Sequence, residues 1–203
     1  MSDNLGGKVL IRNSIYNLLG LGLPLIVAVY AIPKLIESLG VDQFGILTII
    51  WAVVSYFSLF DLGFGRALTQ KLSFYLGCNK LDRIPLLITT AIICLFIMSI
   101  VAGVLLILAT PLFERIESGV SSEELFSTLL AMSIAMPAVI LTAGFRGILE
   151  SLEKFKIINL IRLPMGIFTF IGPLIAIYLW GPYISNVAWG LVFGRYFTLF
   201  AHV

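Results

Sequence analysis

Six apolar runs, each near twenty residues long and separated by short charged stretches, limit what this chain can fold into more than any other feature. They lie at approximately 13–33, 44–65, 84–110, 124–146, 158–180 and 183–203. An α-helix rises about 1.5 Å per residue, so about twenty apolar residues cross the roughly 30 Å of bilayer hydrocarbon. The charge content points the same way: 12% of the residues are charged and 60% hydrophobic, with a mean hydropathy of +1.07, where soluble domains carry roughly a quarter of their residues as charges. A water-soluble fold is excluded. Barrel strands are also excluded, because they are shorter and alternate strictly, whereas in lipid a long unalternating run satisfies its backbone amides only as a helix. The expected fold class is all-α, a polytopic transmembrane helix bundle of about six spans. Lys8 and Arg12 precede the first run, and Val29, Tyr30 and Ala31 loosely resemble a cleavage site, but the run continues to Ile32 and reads as a span rather than a signal peptide.

The placement of charge tests this reading. Lys and Arg near span ends accumulate on the cytoplasmic side. One side here holds Lys8, Arg12, Arg66, Lys71, Lys80, Arg83, Arg146, Lys154, Lys156 and Arg162, and the other holds Lys34 and Arg115, ten against two. A cytoplasmic N-terminus follows. The opposite face is acidic, with Glu37 and Asp42 in the first outer loop and Glu114, Glu117, Glu123 and Glu124 in the second. A net charge of +2 without a basic aromatic tract gives no sign of a nucleic-acid partner. Ser121 and Glu124 have capping-box spacing at the start of the fourth helix. Trp180, Gly181, Pro182 and Tyr183 read as a tight outer turn with interfacial aromatics. Residues 66–76 place Leu68, Leu72 and Tyr75 on one side and Gln70 and Lys71 on another, as an interfacial amphipathic turn does. Pro24, Pro137 and Pro173 sit inside spans, where they bend helices or serve packing. Gly190 and Gly194 have the GxxxG spacing that permits close helix contact. Cys78 and Cys94 read as free thiols.

Enzymatic chemistry finds no ligands to work with. The chain has one histidine, His202, so no HExxH metal site and no Ser/His/Asp or Cys/His set can be assembled, and no GxxxxGKS/T phosphate loop occurs. A non-enzymatic chain with no cofactor and no metal site is expected. Ionisable residues inside spans are the remaining candidates, since each is costly there unless it faces a partner or water. Arg195 lies about twelve residues into the last run, roughly 18 Å deep; it either pairs with a carboxylate of another helix or binds an anion. Asp61 and Arg66 flank Leu62, Gly63, Phe64 and Gly65 near the cytoplasmic end of the second run. Being five apart they do not share a helix face; Asp61 is either a proton or cation site or half of a snorkelling interfacial pair. Arg146, Glu150 and Lys154, with Glu153 beside them, have the i, i+4 spacing of an ion-paired, solvated helix face.

Phe145, Arg146, Gly147, Ile148, Leu149 and Glu150, followed by Phe155 and Asn159, resemble the FRGxLE(x)4F(x)3N stretch after the fourth helix of Wzx-type polysaccharide flippases. The run from Gly40, Val41, Phe44 and Gly45 to Asp61, Leu62, Gly63, Gly65, Arg66, Ala67 and Leu68 is similar to their second helix and its approaches. These belong to the multidrug/oligosaccharidyl-lipid/polysaccharide exporter superfamily. The resemblance implies two pseudo-symmetric bundles around a cavity that takes the diphosphate head of an undecaprenyl-linked oligosaccharide, for polysaccharide or O-antigen assembly at the bacterial inner membrane. By position it implies Arg66, Arg195 and Arg12 as head-group contacts and Asp61 as an ion-coupling or counter-ion residue. On this reading residues 1–203 form the N-terminal bundle of a two-bundle transporter. The ending inside the sixth run leads to the expectation of a truncated half, completed by a second bundle or by a second copy of the chain, with membrane lipids around it. The alternatives are a cation-coupled drug extruder of the same superfamily and a non-transporting membrane subunit of a polysaccharide assembly complex.

Overall fold

The computed structural model describes residues 22–59, 63–115 and 120–203, without the side chains of residues 53, 54 and 57–59. Among them every regular element is a helix. Helix α1 covers Gly22–Leu39, followed by α2 (Val41–Leu59), α3 (Phe64–Gly77), a 3-10 turn (Leu81–Arg83), α4 (Ile84–Leu108), α5 (Thr110–Glu114), α6 (Ser122–Ser151), α7 (Phe155–Trp180) and α8 (Ile184–His202). By length and composition, Gly22–Leu39, Leu81–Glu114, Ser122–Ser151 and Phe155–Trp180 are each able to cross a membrane. The 19 residues of α2 and of α8 reach about 28 Å, with polar residues set among the apolar ones.

Three boundaries differ from the hydropathy reading. The first helix does not stop at Pro33 but runs to Leu39, because Ala31, Leu35 and Leu39 continue a buried stripe at i, i+4 spacing and this outweighs the one hydrogen bond the proline removes. Gly40 alone joins α1 to α2. Its φ of 81° suits glycine, its N–H donates to Ile36 at 2.9 Å and its carbonyl accepts from Phe44 N–H at 3.1 Å. The second run divides: after α2 (Val41–Leu59), Gly63, with φ 78°, opens a separate helix, α3. That helix is amphipathic as expected, with Leu68 and Leu72 buried and Arg66, Gln70 and Lys71 exposed. The fourth run extends to Ser151 and closes where Glu153 turns to φ 55° and Lys154 N–H reaches the Leu149 carbonyl at 2.9 Å.

Helix α6 is the axis of the bundle, packed against α4, α8, α3 and, to a lesser extent, α2, while α7 packs mainly on α8. Leu47 and Ile50 of α2, Leu95 and Leu106 of α4, Leu129 and Met136 of α6, and Val187 of α8 meet in one buried cluster. Lipid tails give little hydrophobic drive to such association, so close backbone approach must supply much of it. The α7–α8 contact uses the Gly190/Gly194 pair in this way: a Cβ at Gly190 would meet the Ala176 methyl at 3.1 Å, and one at Gly194 would meet the Phe168 ring at 2.5 Å. Cys78 is exposed and Cys94 half-buried, and both are free thiols.

The expected helix cap forms, with a different second half. Ser121 Oγ accepts from Glu124 N–H at 3.2 Å. The Glu124 carboxylate does not return to the residue-121 amide; its Oε1 accepts from Ile184 N–H at 2.8 Å and so caps α8. Beside it, Asn186 Nδ2 donates to the Trp180 carbonyl at 2.7 Å, closing the α7–α8 turn. Ile184 is fully buried, so Glu124→Ala strands its amide. Denaturation of the detergent-purified variant is expected to show a loss of about 1–3 kcal/mol, and Glu124→Gln, which keeps a carbonyl oxygen, loses less. Equal midpoints for Glu124→Ala and wild type would exclude the cap.

Candidate functional site: a cation-lined cavity between four helices

Arg195 stands eleven residues into α8, about 17 Å along it. Leu191 and Leu199, one turn before and after, are both buried, so the arginine lies on the inward face. The adjacent Tyr196 fixes that rotation, since its hydroxyl donates to the Ile134 carbonyl of α6 at 2.9 Å. The guanidinium opens on a cavity of about 130 Å³ lined also by Trp51 and Ser55 of α2, Met132 of α6, and Thr169 and Phe170 of α7.

The wall has an unbalanced polar inventory. Ser55 donates to the Trp51 carbonyl at 2.7 Å and Thr169 to the Met165 carbonyl at 2.9 Å, so both hydroxyl hydrogens are used within their own helices. Trp51 is held by an edge-on contact with Phe170, at 6.5 Å between centroids and 90° between planes. Arg195 has no ion pair: among the described residues the pairs are Arg83–Asp82 and Arg146–Glu150, each at 3.6 Å. Among the described residues no carboxylate lines the cavity. An uncompensated guanidinium in a chamber floored by apolar side chains is suited to an anion, above all to an oxyanion that matches its planar fork.

Two of the sequence candidates, Arg195 and Arg66, are among the described residues, and they do not share the cavity wall. Arg195 is in the cavity wall. Arg66 is in the first turn of α3, exposed and outside that wall. Arg12 and Asp61 lie outside the described residues. Arg146 and Glu150 form the expected i, i+4 pair on an exposed face. Sequence reasoning missed Trp51, Ser55 and Thr169. The signal for Trp51 was available: a tryptophan within an apolar run rather than at its end departs from the interfacial placement usual for that residue.

Comparison with known proteins then gives the lineage. Residues 10–202 match the family model described as polysaccharide biosynthesis protein. A Shigella flexneri protein named "Putative O-antigen transporter" is 29% identical over 152 residues, which are 74% of this chain and 36% of that protein. The chain therefore aligns with little more than a third of this relative. No solved structure matches. With its apolar helices, the chain is a multi-pass membrane protein, and it belongs to the polysaccharide biosynthesis protein family, as the motifs around Gly147 and Gly63 implied.

Proposed function

We propose that the chain forms the N-terminal bundle of a flippase that carries an undecaprenyl-diphosphate-linked oligosaccharide across the bacterial inner membrane, for polysaccharide or O-antigen assembly. The observation that carries the reading is Arg195, without an ion pair among the described residues, in a mid-bundle cavity whose described lining holds no carboxylate. A cation costs about 2.5–3.5 kcal/mol at the centre of a membrane helix, and an anionic ligand returns that cost. In this reading the diphosphate docks at Arg195 while the sugar occupies water and the prenyl chain stays in lipid. Arg66 and Arg12 contact the head group on its way in, and Asp61 serves as coupling or counter-ion residue. The basic flanks face the cytoplasm, with the N-terminus on that side. A second bundle, or a second copy of the chain, completes the passage. A cation-coupled drug extruder fits less well, since its cavity needs a carboxylate and none lines this one among the described residues.

The test is a leaflet assay. Proteoliposomes holding the protein and a fluorescent polyprenyl-diphosphate-linked sugar are treated with a membrane-impermeant reductant. Flipping exposes the inner-leaflet pool and bleaches all of the label. Bleaching limited to the outer leaflet, as in protein-free vesicles, would refute the reading.

A further inference from the structure

Helix α3 has an apolar face that the bundle does not use. Wound at about 3.6 residues per turn, its 14 residues divide into three faces. Gly65, Leu68 and Leu72 are buried where α3 packs against α6 and α4. Arg66, Gln70 and Ser73 form an exposed polar face. On the third face Phe64, Ala67, Lys71, Phe74 and Cys78 follow one another in successive turns, and all are exposed; Phe64 and Phe74 keep 38% and 55% of their surface accessible. Leu68 and Leu72, the apolar side legible in the sequence, are spent inside the protein, so this stripe is a second one. A helix with one face on protein and one polar has a medium left to find for its third. Its position supplies one. The membrane-crossing segment Leu81–Glu114 begins just after α3, and its first charges, Asp82 and Arg83, are exposed. Such charges stay out of hydrocarbon, so they set the end of α3 at the membrane border.

The turn that ends α3 gathers basic charge at the same place. Asn79 takes φ 55°, a conformation asparagine tolerates, and Lys80 N–H bonds back to the Tyr75 carbonyl at 2.9 Å. This reversal leaves Lys80 Nζ 6.0 Å from the centre of the Phe74 ring, while Lys71 Nζ is 5.8 Å from that of Tyr75. The two rings are neighbours, 6.1 Å between centroids. Neither lysine has an ion pair among the described residues, and neither lines the Arg195 cavity. Water alone would leave the two exposed phenyl rings wetted, and a neutral headgroup would leave two ammonium charges uncompensated. A negatively charged lipid answers both, since lysine stems lie along apolar surface with their charge at the headgroup level.

We propose that this face of α3 binds an anionic phospholipid of the surrounding bilayer, with Lys71 and Lys80 on its headgroup phosphate and Phe64 and Phe74 among its acyl chains. The test uses the whole chain in a Cys94→Ser background, with a bimane fluorophore on Cys78, an exposed free thiol of the same stripe. Reconstituted bilayers contain brominated phosphatidylglycerol or brominated phosphatidylcholine at equal mole fraction, and bromine quenches only from adjacent lipid. Both are expected to quench, with the anionic lipid binding about tenfold more tightly. Lys71→Gln and Lys80→Gln are each expected to lower that ratio about threefold to fivefold. Lys71→Arg, which keeps the charge, preserves it. Lys156→Gln removes an exposed charge from α7 and is expected to leave the ratio unchanged. Equal quenching by the two lipids overturns the proposal. So does a preference that survives Lys71→Gln and Lys80→Gln together, or one that falls as far with Lys156→Gln, since either marks a diffuse basic surface. Quenching by neither lipid overturns it as well, because the face is then covered by protein or open to water.

Discussion

Arg195→Met is expected to cut lipid flipping by about 10- to 100-fold while leaving the purified protein at least as stable as wild type. The two halves have opposite physical origins. A hydrogen bond to a charged group contributes about 1.5–3 kcal/mol, and each 1.4 kcal/mol or so is tenfold, so losing the guanidinium's hold on a diphosphate accounts for the fall in rate. Stability runs the other way because Arg195 has no carboxylate partner among the described residues, and replacing a half-buried cation within a membrane bundle by an apolar chain of similar length relieves its cost. Arg195→Lys keeps the charge and loses the planar fork, so it falls between wild type and Met in the leaflet assay. The decisive comparison is flipping rate against thermal midpoint for the same samples. A drop in both for Arg195→Met would make the residue a structural support and remove the main ground for an anion site.

What could be read from the chain was what depends on local physics. Arg195 stood out because a lone cation inside an apolar run has few physical excuses. The Ser121 cap, the Arg146–Glu150 pair and the Trp180–Tyr183 turn are short-range patterns, and each formed. The helix ends were harder. Pro33 and Lys34 carry a stop signal that a buried stripe through Leu35 and Leu39 overrides, and the stripe is visible only once the helix has something to pack against. The Glu124 carboxylate has a local target in the capping box and a distant one at Ile184, sixty residues away; composition cannot choose between them.

The cavity was the least legible part. Trp51, Ser55 and Thr169 are scattered over two helices, and each has an ordinary reading on its own. Serine and threonine in a membrane helix usually bond back to the preceding turn, as Ser55 and Thr169 do. Only the convergence of α2, α6, α7 and α8 makes one site of them. Arg66 shows the converse. Its place in the motif made it a head-group candidate, but the turn at Gly63 starts a new helix and sets Arg66 on the exposed side of α3, outside the cavity wall.

Helix α3 gives the second large effect, through Gly147. Here the backbones of α3 and α6 approach so closely that Thr69 Oγ1 lies 2.9 Å from the Gly65 carbonyl and 3.0 Å from the Gly147 carbonyl. A Cβ at Gly147 would stand 2.8 Å from the Gly65 oxygen and 2.9 Å from Thr69 Oγ1. The first of these is helix backbone, which cannot turn aside as a side-chain tip can. The glycine of the Phe145–Glu150 motif is thus explained by contact, and its neighbours Arg146 and Glu150 stay on the outer face. Overpacking of this kind costs about 1–3 kcal/mol, sometimes more, and Gly147→Leu is expected to lift α3 from α6, exposing Leu68 and Leu72, which are 3% and 1% accessible when docked. In a Cys78→Ser/Cys94→Ser background, Leu72→Cys reports the change through its reaction with an impermeant maleimide. Labelling is expected to rise about tenfold or more with Gly147→Leu, and less with Gly147→Ala, because 1.4 kcal/mol or so corresponds to tenfold in the open population. Equal labelling with Gly147 and with Leu at that position would show that α3 is held by some other contact and leave the motif glycine without this explanation.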